Sequence, residues 1–181
     1  MKKHVTSVSV LVGVAAIFFL FVVAKRVEAQ SGMRAPGHKA DPFEVRMWKW
    51  LSQADYRHWA APAGQKAEEF YPGNSPHGAF LKTHLNRTAA ASAKKLPTGS
   101  IIVKENFSKE KKLMIVTVMY QSKGYDPAHN DWWYAKYMPD GKVATMKMEG
   151  SDKVMKLTGK VQGCINCHED AGGKDYAFFN D

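Results

Sequence analysis

Cys164-Ile165-Asn166-Cys167-His168, near the C-terminus, is the stretch whose residue types and spacing can do chemistry. Thiols at positions i and i+3 lie about one turn apart on one side of a helix. From there both can reach the vinyl groups along one edge of a porphyrin and form thioethers, while the adjacent imidazole falls under the iron. The pattern predicts haem c attached through Cys164 and Cys167, with His168 as an axial iron ligand. The chain has no other cysteine. Two other chemistries use paired cysteines. A redox disulfide belongs after an early strand in a βαβ unit, and this pair stands at the far end of the chain. A zinc centre needs further ligands, and His84 and His129 are available without any spacing that requires them.

The second axial position decides what such a haem does. A methionine there would make a low-spin electron carrier. Met146, Met148 and Met155 precede the motif, and Met114 and Met119 lie in an apolar run. Each also reads as core filling.

The motif needs a scaffold, and the sequence upstream reads as one. Asp41-Pro42-Phe43-Glu44 has the residues of a helix start, with Asp41 as cap and Pro42 in the first turn. Phe43, Met47, Trp50 and Leu51 then recur on one helical face. Ala61-Pro62-Ala63-Gly64 and Tyr71 to Pro76 are turn-rich breaks. Ala79 to Leu85 reads as a strand, and alanine-rich Thr88 to Lys95 as a short helix ending before Pro97. Ser100 to Phe107 and Leu113 to Tyr120 form one predicted hairpin. Trp132 to Met138 and Val143 to Met148, joined by Pro139-Asp140-Gly141, form another. In the Leu113 strand, Met114, Val116, Val118 and Tyr120 share one face and Leu113, Ile115 and Met119 the other, as in a central strand buried on both sides. The fold class is α+β, mainly antiparallel β-sheet with a few flanking helices.

The 181 residues are 45% hydrophobic and 24% charged, a globular composition. Lys2 and Lys3 precede an apolar run from Val5 to Ala24, and Val27-Glu28-Ala29 offers a cleavage site. Residues 1–29 thus read as a secretory signal peptide, with an uncleaved anchor as the alternative because the run nearly spans a bilayer. Residues 30–75 form a lead-in with one helix, and 76–181 the haem domain. Export places the body in the periplasm, where c-type haem is attached. It also argues against a nucleic-acid role for the net charge of +9, which instead suits an acidic partner, such as a redox partner protein, or an anionic membrane face.

Local sequence adds a resemblance. His77-Gly78, Leu85-Asn86, Gly99-Ser100-Ile101-Ile102-Val103-Lys104-Glu105-Asn106, Asp131-Trp132-Trp133-Tyr134, the haem motif and Asp175-Tyr176-Ala177-Phe178 together resemble the cytochrome P-460 family over roughly residues 76–181. The resemblance implies a mostly β monohaem cytochrome whose iron keeps an open distal face. The namesake enzymes oxidise hydroxylamine, and a lysine adds a third covalent link to their haem; Lys104 occupies the matching place. Relatives called cytochrome c′-beta lack the link and bind nitric oxide or carbon monoxide beside distal phenylalanines, for which Phe80 and Phe107 are the candidates. An acidic residue after the axial histidine is implied as proton acceptor, and Glu169 and Asp170 follow His168, with Asp170 the better positional match. Homodimers are common among such relatives. Strand alternation by itself puts Ile102, Lys104 and Asn106 on one face and Ile101, Val103, Glu105 and Phe107 on the other. A lysine there points either to solvent from an edge strand or toward something that uses its amine.

Overall fold

The computed structural model describes residues 40–92, 95–172 and 175–179. The leader predicted over 1–29 lies outside the described residues. Among those described, no helix is long and apolar enough to cross a membrane.

The first helix, α1 (Phe43–Gln53), is followed by a 3-10 turn at Tyr56–His58. Strands β1 (Tyr71–Pro72) and β2 (Phe80–Leu85) come next, then the one-turn helix α2 (Arg87–Ala90). The centre is β3 (Ile101–Phe107), β4 (Leu113–Gln121) and β5 (Trp132–Tyr137). A ribbon of β6 (Thr145–Lys147) and β7 (Val154–Lys156), the short β8 (Thr158–Gly159) and α3 (Gln162–His168) complete the chain. β1, β2, β3, β4, β5 and β8 lie in that order in one sheet, with every neighbouring pair antiparallel.

Alternation along the three central strands gives the sheet two apolar faces, each with its own cover. Ile101, Val103, Val116, Val118, Trp133, Ala135 and Tyr137 pack under Met47 and Leu51 of α1 and under Tyr56. Leu85, Ile102, Met119, Trp132 and Tyr134 pack on the opposite face under Val161 and Ile165, with Ala89, Leu96 and Ala177. Leu51 and Ile165 are almost fully buried, and each such side chain contributes about 1.5–3 kcal/mol to folding. The sheet therefore separates α1 from the α3 that carries the Cys-x-x-Cys-His motif.

Several local expectations change in three dimensions. Pro42 takes the cap position expected for Asp41, while Asp41 pairs with Lys49 at 2.6 Å. Of the predicted α1 stripe, Met47 and Leu51 are buried but Phe43 and Trp50 stay exposed. Trp48 instead packs on Tyr137, because Gly141, at φ +85°, lets the turn approach its ring; a Cβ there would stand 1.9 Å from Trp48 Nε1. A bulge shifts the register so that Asn106 faces Ile115 but Phe107 faces Leu113. The extra residue breaks the alternation. Leu113 joins the α1 face and Met114 is left exposed. Val143–Met148 does not run on beside β5: the pairing there is a single bridge, Tyr137 to Val143. Beyond Ala144 the chain pairs with β7, and β8 takes the place beside β5.

Candidate functional site

Ile165 and His168 turn inward from α3, while Gly163, Asn166 and Cys167 face solvent and Cys164 is half-buried. Both thiols are free. Burial pushes the Cys164 thiol up, partly opposed by the Lys136 charge. Buried Ile165 fixes the helix on the sheet, so the flanking residues have a set orientation.

His168 has one nitrogen committed and one left over. Its Nδ1 lies 2.7 Å from the Tyr176 carbonyl oxygen. A carbonyl only accepts, so Nδ1 carries the hydrogen and Nε2 keeps its lone pair. Burial lowers the pKa of this imidazole and the carbonyl bond opposes the shift. The Tyr176 carbonyl is itself held in place. Asp175, only 1% exposed, accepts from Leu96 N at 2.6 Å and from Asn130 Nδ2 at 3.0 Å, and its carbonyl accepts from Trp132 Nε1 at 3.1 Å. Tyr176 itself sits at φ +61°, a strained conformation for a non-glycine residue that its surroundings must enforce.

Across the same face of the sheet, Thr83, Lys104, Thr117 and Lys136 stand in register on β2, β3, β4 and β5. Lys104 is half-buried, and it has no ion-pair partner among the described residues. Burial pushes its ammonium below the ordinary lysine value. Its charge reaches both His168 and His77, so strand alternation has brought Lys104 to the His168 side.

His77 joins the group from the loop before β2. Its ring centre lies 6.3 Å from that of His168, with the planes 88° apart. Its Nδ1 is 2.8 Å from Asn106 Oδ1. Burial and the Lys104 charge push its pKa down to about 4, against the pull of the Asn106 bond. Tyr134 and Phe178 flank His168 at 5.7 and 5.5 Å between ring centres. The Tyr134 hydroxyl is buried and has no hydrogen-bond partner among the described residues.

Other candidates lie elsewhere. Glu169 and Asp170 are exposed past the end of α3, and neither hydrogen-bonds to His77, Lys104 or His168. Phe80 and Phe107 do not serve as distal groups on the His168 side: they pair across β2 and β3 on the opposite face, around Phe70. His84 is committed to Glu105 and His129 to Asp126. Among the described residues no three His, Cys, Asp or Glu side chains are grouped as a metal site needs, so the zinc alternative finds no ligand set. Met114, Met146 and Met148 are exposed; Met119 is buried beneath α3.

A family model described as Cytochrome P460 matches residues 53–179. The chain belongs to the cytochrome P460 family. No curated protein matches the chain significantly. The cytochrome P460 match starts upstream of the residues that carried the resemblance. It takes in Tyr56 and Arg57, which hydrogen-bond to Glu105 from behind the sheet at 3.0 and 2.7 Å. Membership implies a haem c cofactor, and this cytochrome P460 chain fits one: among the described residues it has two unpaired thiols one turn apart, an imidazole with a free Nε2, and an unpartnered hydroxyl and amine on one side of the sheet.

His77, Asn106, Lys136, Asp175 and Tyr176 were not legible as site residues. His77 and the Asp175–Tyr176 pair stand within stretches that carried the resemblance, but nothing in their spacing ties them to a motif so distant in sequence.

Proposed function

We propose that this chain is an exported monohaem c-type cytochrome that oxidises hydroxylamine and passes the electrons to a redox partner protein. Cys164 and Cys167 would bind haem c as thioethers, and His168 Nε2 would ligate its iron. The Tyr176 carbonyl holds Nδ1 and fixes the ring's tautomer and orientation. Bound there, haem supplies the redox chemistry. Lys104 would supply a third covalent link to that haem. Trp132 and Tyr134 lie on the α3 face and keep water from its floor, whereas Trp133 belongs to the other core. Asp170 and Glu169 are the carboxylates offered for taking up substrate protons. The apolar run before residue 29 would direct the chain to the periplasm.

The observation that carries this reading is Lys104: half-buried and, among the described residues, without an ion-pair partner, it lies on the sheet face that α3 covers. A lysine kept only for solubility would find water or a carboxylate. Mass spectrometry of a haem-bearing tryptic digest tests the link directly. The expected product joins the Cys164–Cys167 peptide, the haem and the Lys104 peptide, and the holoprotein turns over hydroxylamine with an artificial acceptor. A fully haem-loaded protein with no Lys104 adduct and no turnover would refute the enzymatic reading. A second reading, nitric oxide or carbon monoxide binding as in cytochrome c′-beta, draws support from the exposure of Glu169 and Asp170, which leaves no carboxylate among His77, Lys104 and His168.

A further inference from the structure

Met146, Met148 and Met155, three of the chain's nine methionines, stand within one short stretch before the haem motif. They fall on the ribbon of β6 and β7, which pairs with no other strand among the described residues. A two-stranded ribbon is marginal in water without something packed on it, and every residue of β6 is exposed.

Alternation sorts the ribbon into two faces. Its register sets Met146 opposite Met155, with Thr145 opposite Lys156 and Lys147 opposite Val154. Met148 N donates to the Lys153 carbonyl at 2.9 Å, which carries the pairing one residue further. Successive side chains point to opposite faces, so the three methionines share one face and Thr145, Lys147, Val154 and Lys156 the other. The second face turns to the body, where Lys156 reaches Glu44 of α1 at 3.5 Å. Lys147 is occupied with Asp152 at 2.7 Å. The methionine face stays in solvent: Met146 is 51% exposed, Met148 45%, and Met155 half-buried. Core filling accounts for a buried methionine such as Met119, but not for three together in water.

The spacing fits one ligand chemistry. Directly opposed residues such as Met146 and Met155 have Cβ atoms about 4.5–5.5 Å apart. Met148 follows Met146 on the same side by roughly 6.7 Å along the strand. Each sulfur ends a flexible, unbranched side chain, so three of them can converge above the ribbon. Thioethers are soft, uncharged donors that select Cu(I) and leave Mg2+ and Ca2+ to oxygen ligands. The register puts no histidine or carboxylate on that face, so it offers no ligand set for Zn2+ or Cu(II). Lys153 is the cation the register adds there, and its long stem carries the ammonium out to water.

We propose that Met146, Met148 and Met155 form a three-thioether site for Cu(I) on the outer face of the β6–β7 ribbon. The site is independent of the haem reading above, because none of its residues serves that reading.

The test uses the full chain with Cys164 and Cys167 joined to haem, or blocked by alkylation where no haem is attached, so that no thiol competes for the metal. Cu(I), kept reduced by ascorbate in the absence of oxygen, is added together with excess bicinchoninate. Copper retained after gel filtration is counted per protein. One copper is expected, surrounded by sulfur alone in X-ray absorption at the copper edge. Met146→Leu, Met148→Leu and Met155→Leu keep the side-chain bulk, and each should weaken binding by about tenfold or more. Met114→Leu and Met138→Leu, exposed positions outside the ribbon, should leave it unchanged. Ag(I), added to protein with carbon-13 methionine methyls, should shift the same methyl signals that the three ribbon variants remove. Failure to hold copper against bicinchoninate, nitrogen or oxygen neighbours in place of sulfur, or undiminished binding by the triple leucine variant overturns the proposal. The wild-type copper count and absorption spectrum decide the point even if a variant fails to fold.

Discussion

His168 shows how much a single residue can require of its surroundings. Its Nε2 is free because a carbonyl occupies Nδ1, and that carbonyl belongs to a residue at positive φ. The haem motif was legible because its chemistry is local: thiol, thiol and imidazole follow within one turn of helix. The carbonyl was not legible, because any residue has one and only the folded chain shows which one arrives. Replacing Cys164 and Cys167 together by alanine is expected to abolish covalent haem. A haem-stained denaturing gel checks this, and retained stain in the double variant would contradict the attachment. His168→Ala should leave the thioethers but change the optical spectrum of the iron, and an unchanged spectrum would remove the ligand assignment.

At the scale of elements, β3 is the hinge of the design. One face carries Ile102, Lys104 and Asn106 toward α3, and the other carries Ile101, Val103 and Glu105 toward α1. Period-2 alternation made that division readable in advance. The bulge between Asn106 and Phe107 was not readable, since nothing in Leu113-Met114-Ile115 marks the extra residue. The loop before β2 meets the end of β3 at Gly78. Gly78→Ala should cost about 1–3 kcal/mol, because its methyl would collide with backbone rather than with a flexible side-chain end. Thermal unfolding should register this as a fall in Tm of several degrees. An unchanged Tm would show that the loop can move away. Ile165→Ala, which empties a buried position under α3, should cost about 2–5 kcal/mol in denaturant unfolding. A loss below the range of an exposed substitution would mean that the helix is held by other contacts.

Across the whole molecule, Glu105 ties the α1 side to the strand that bears Lys104. It is 4% exposed and accepts hydrogen bonds from Tyr56, Arg57 and, at 3.4 Å, His84. Burial alone would raise its pKa. The His84 bond, the Arg57 charge and the Tyr56 bond outweigh burial and hold the carboxyl below its ordinary value. A depressed folded-state pKa contributes stability that is complete above the unfolded value and is lost as pH falls through the folded one. Urea unfolding should therefore weaken on acidification below the usual carboxylate range. Glu105→Gln should flatten that part of the profile and cost about 1–3 kcal/mol at neutral pH by leaving its buried donors poorly matched. A profile identical to wild type would show that Glu105 is not the group responsible. The family match beginning at residue 53, rather than near 76, is consistent with this link: Tyr56 and Arg57 belong with the Glu105 they bind.

The sequence by itself determined the haem motif, the antiparallel strands and the side of β3 on which Lys104 falls. Each of these is written in contacts between residues that are near neighbours or alternate along one strand. Only the tertiary structure decided that Phe80 and Phe107 lie behind the sheet, that Glu169 and Asp170 stay in solvent, and that His77 stands 6.3 Å from His168. Those outcomes depend on which distant segments meet, and that is set by the packing of loops and helix ends on the sheet, for which the chain carries no local periodic signal.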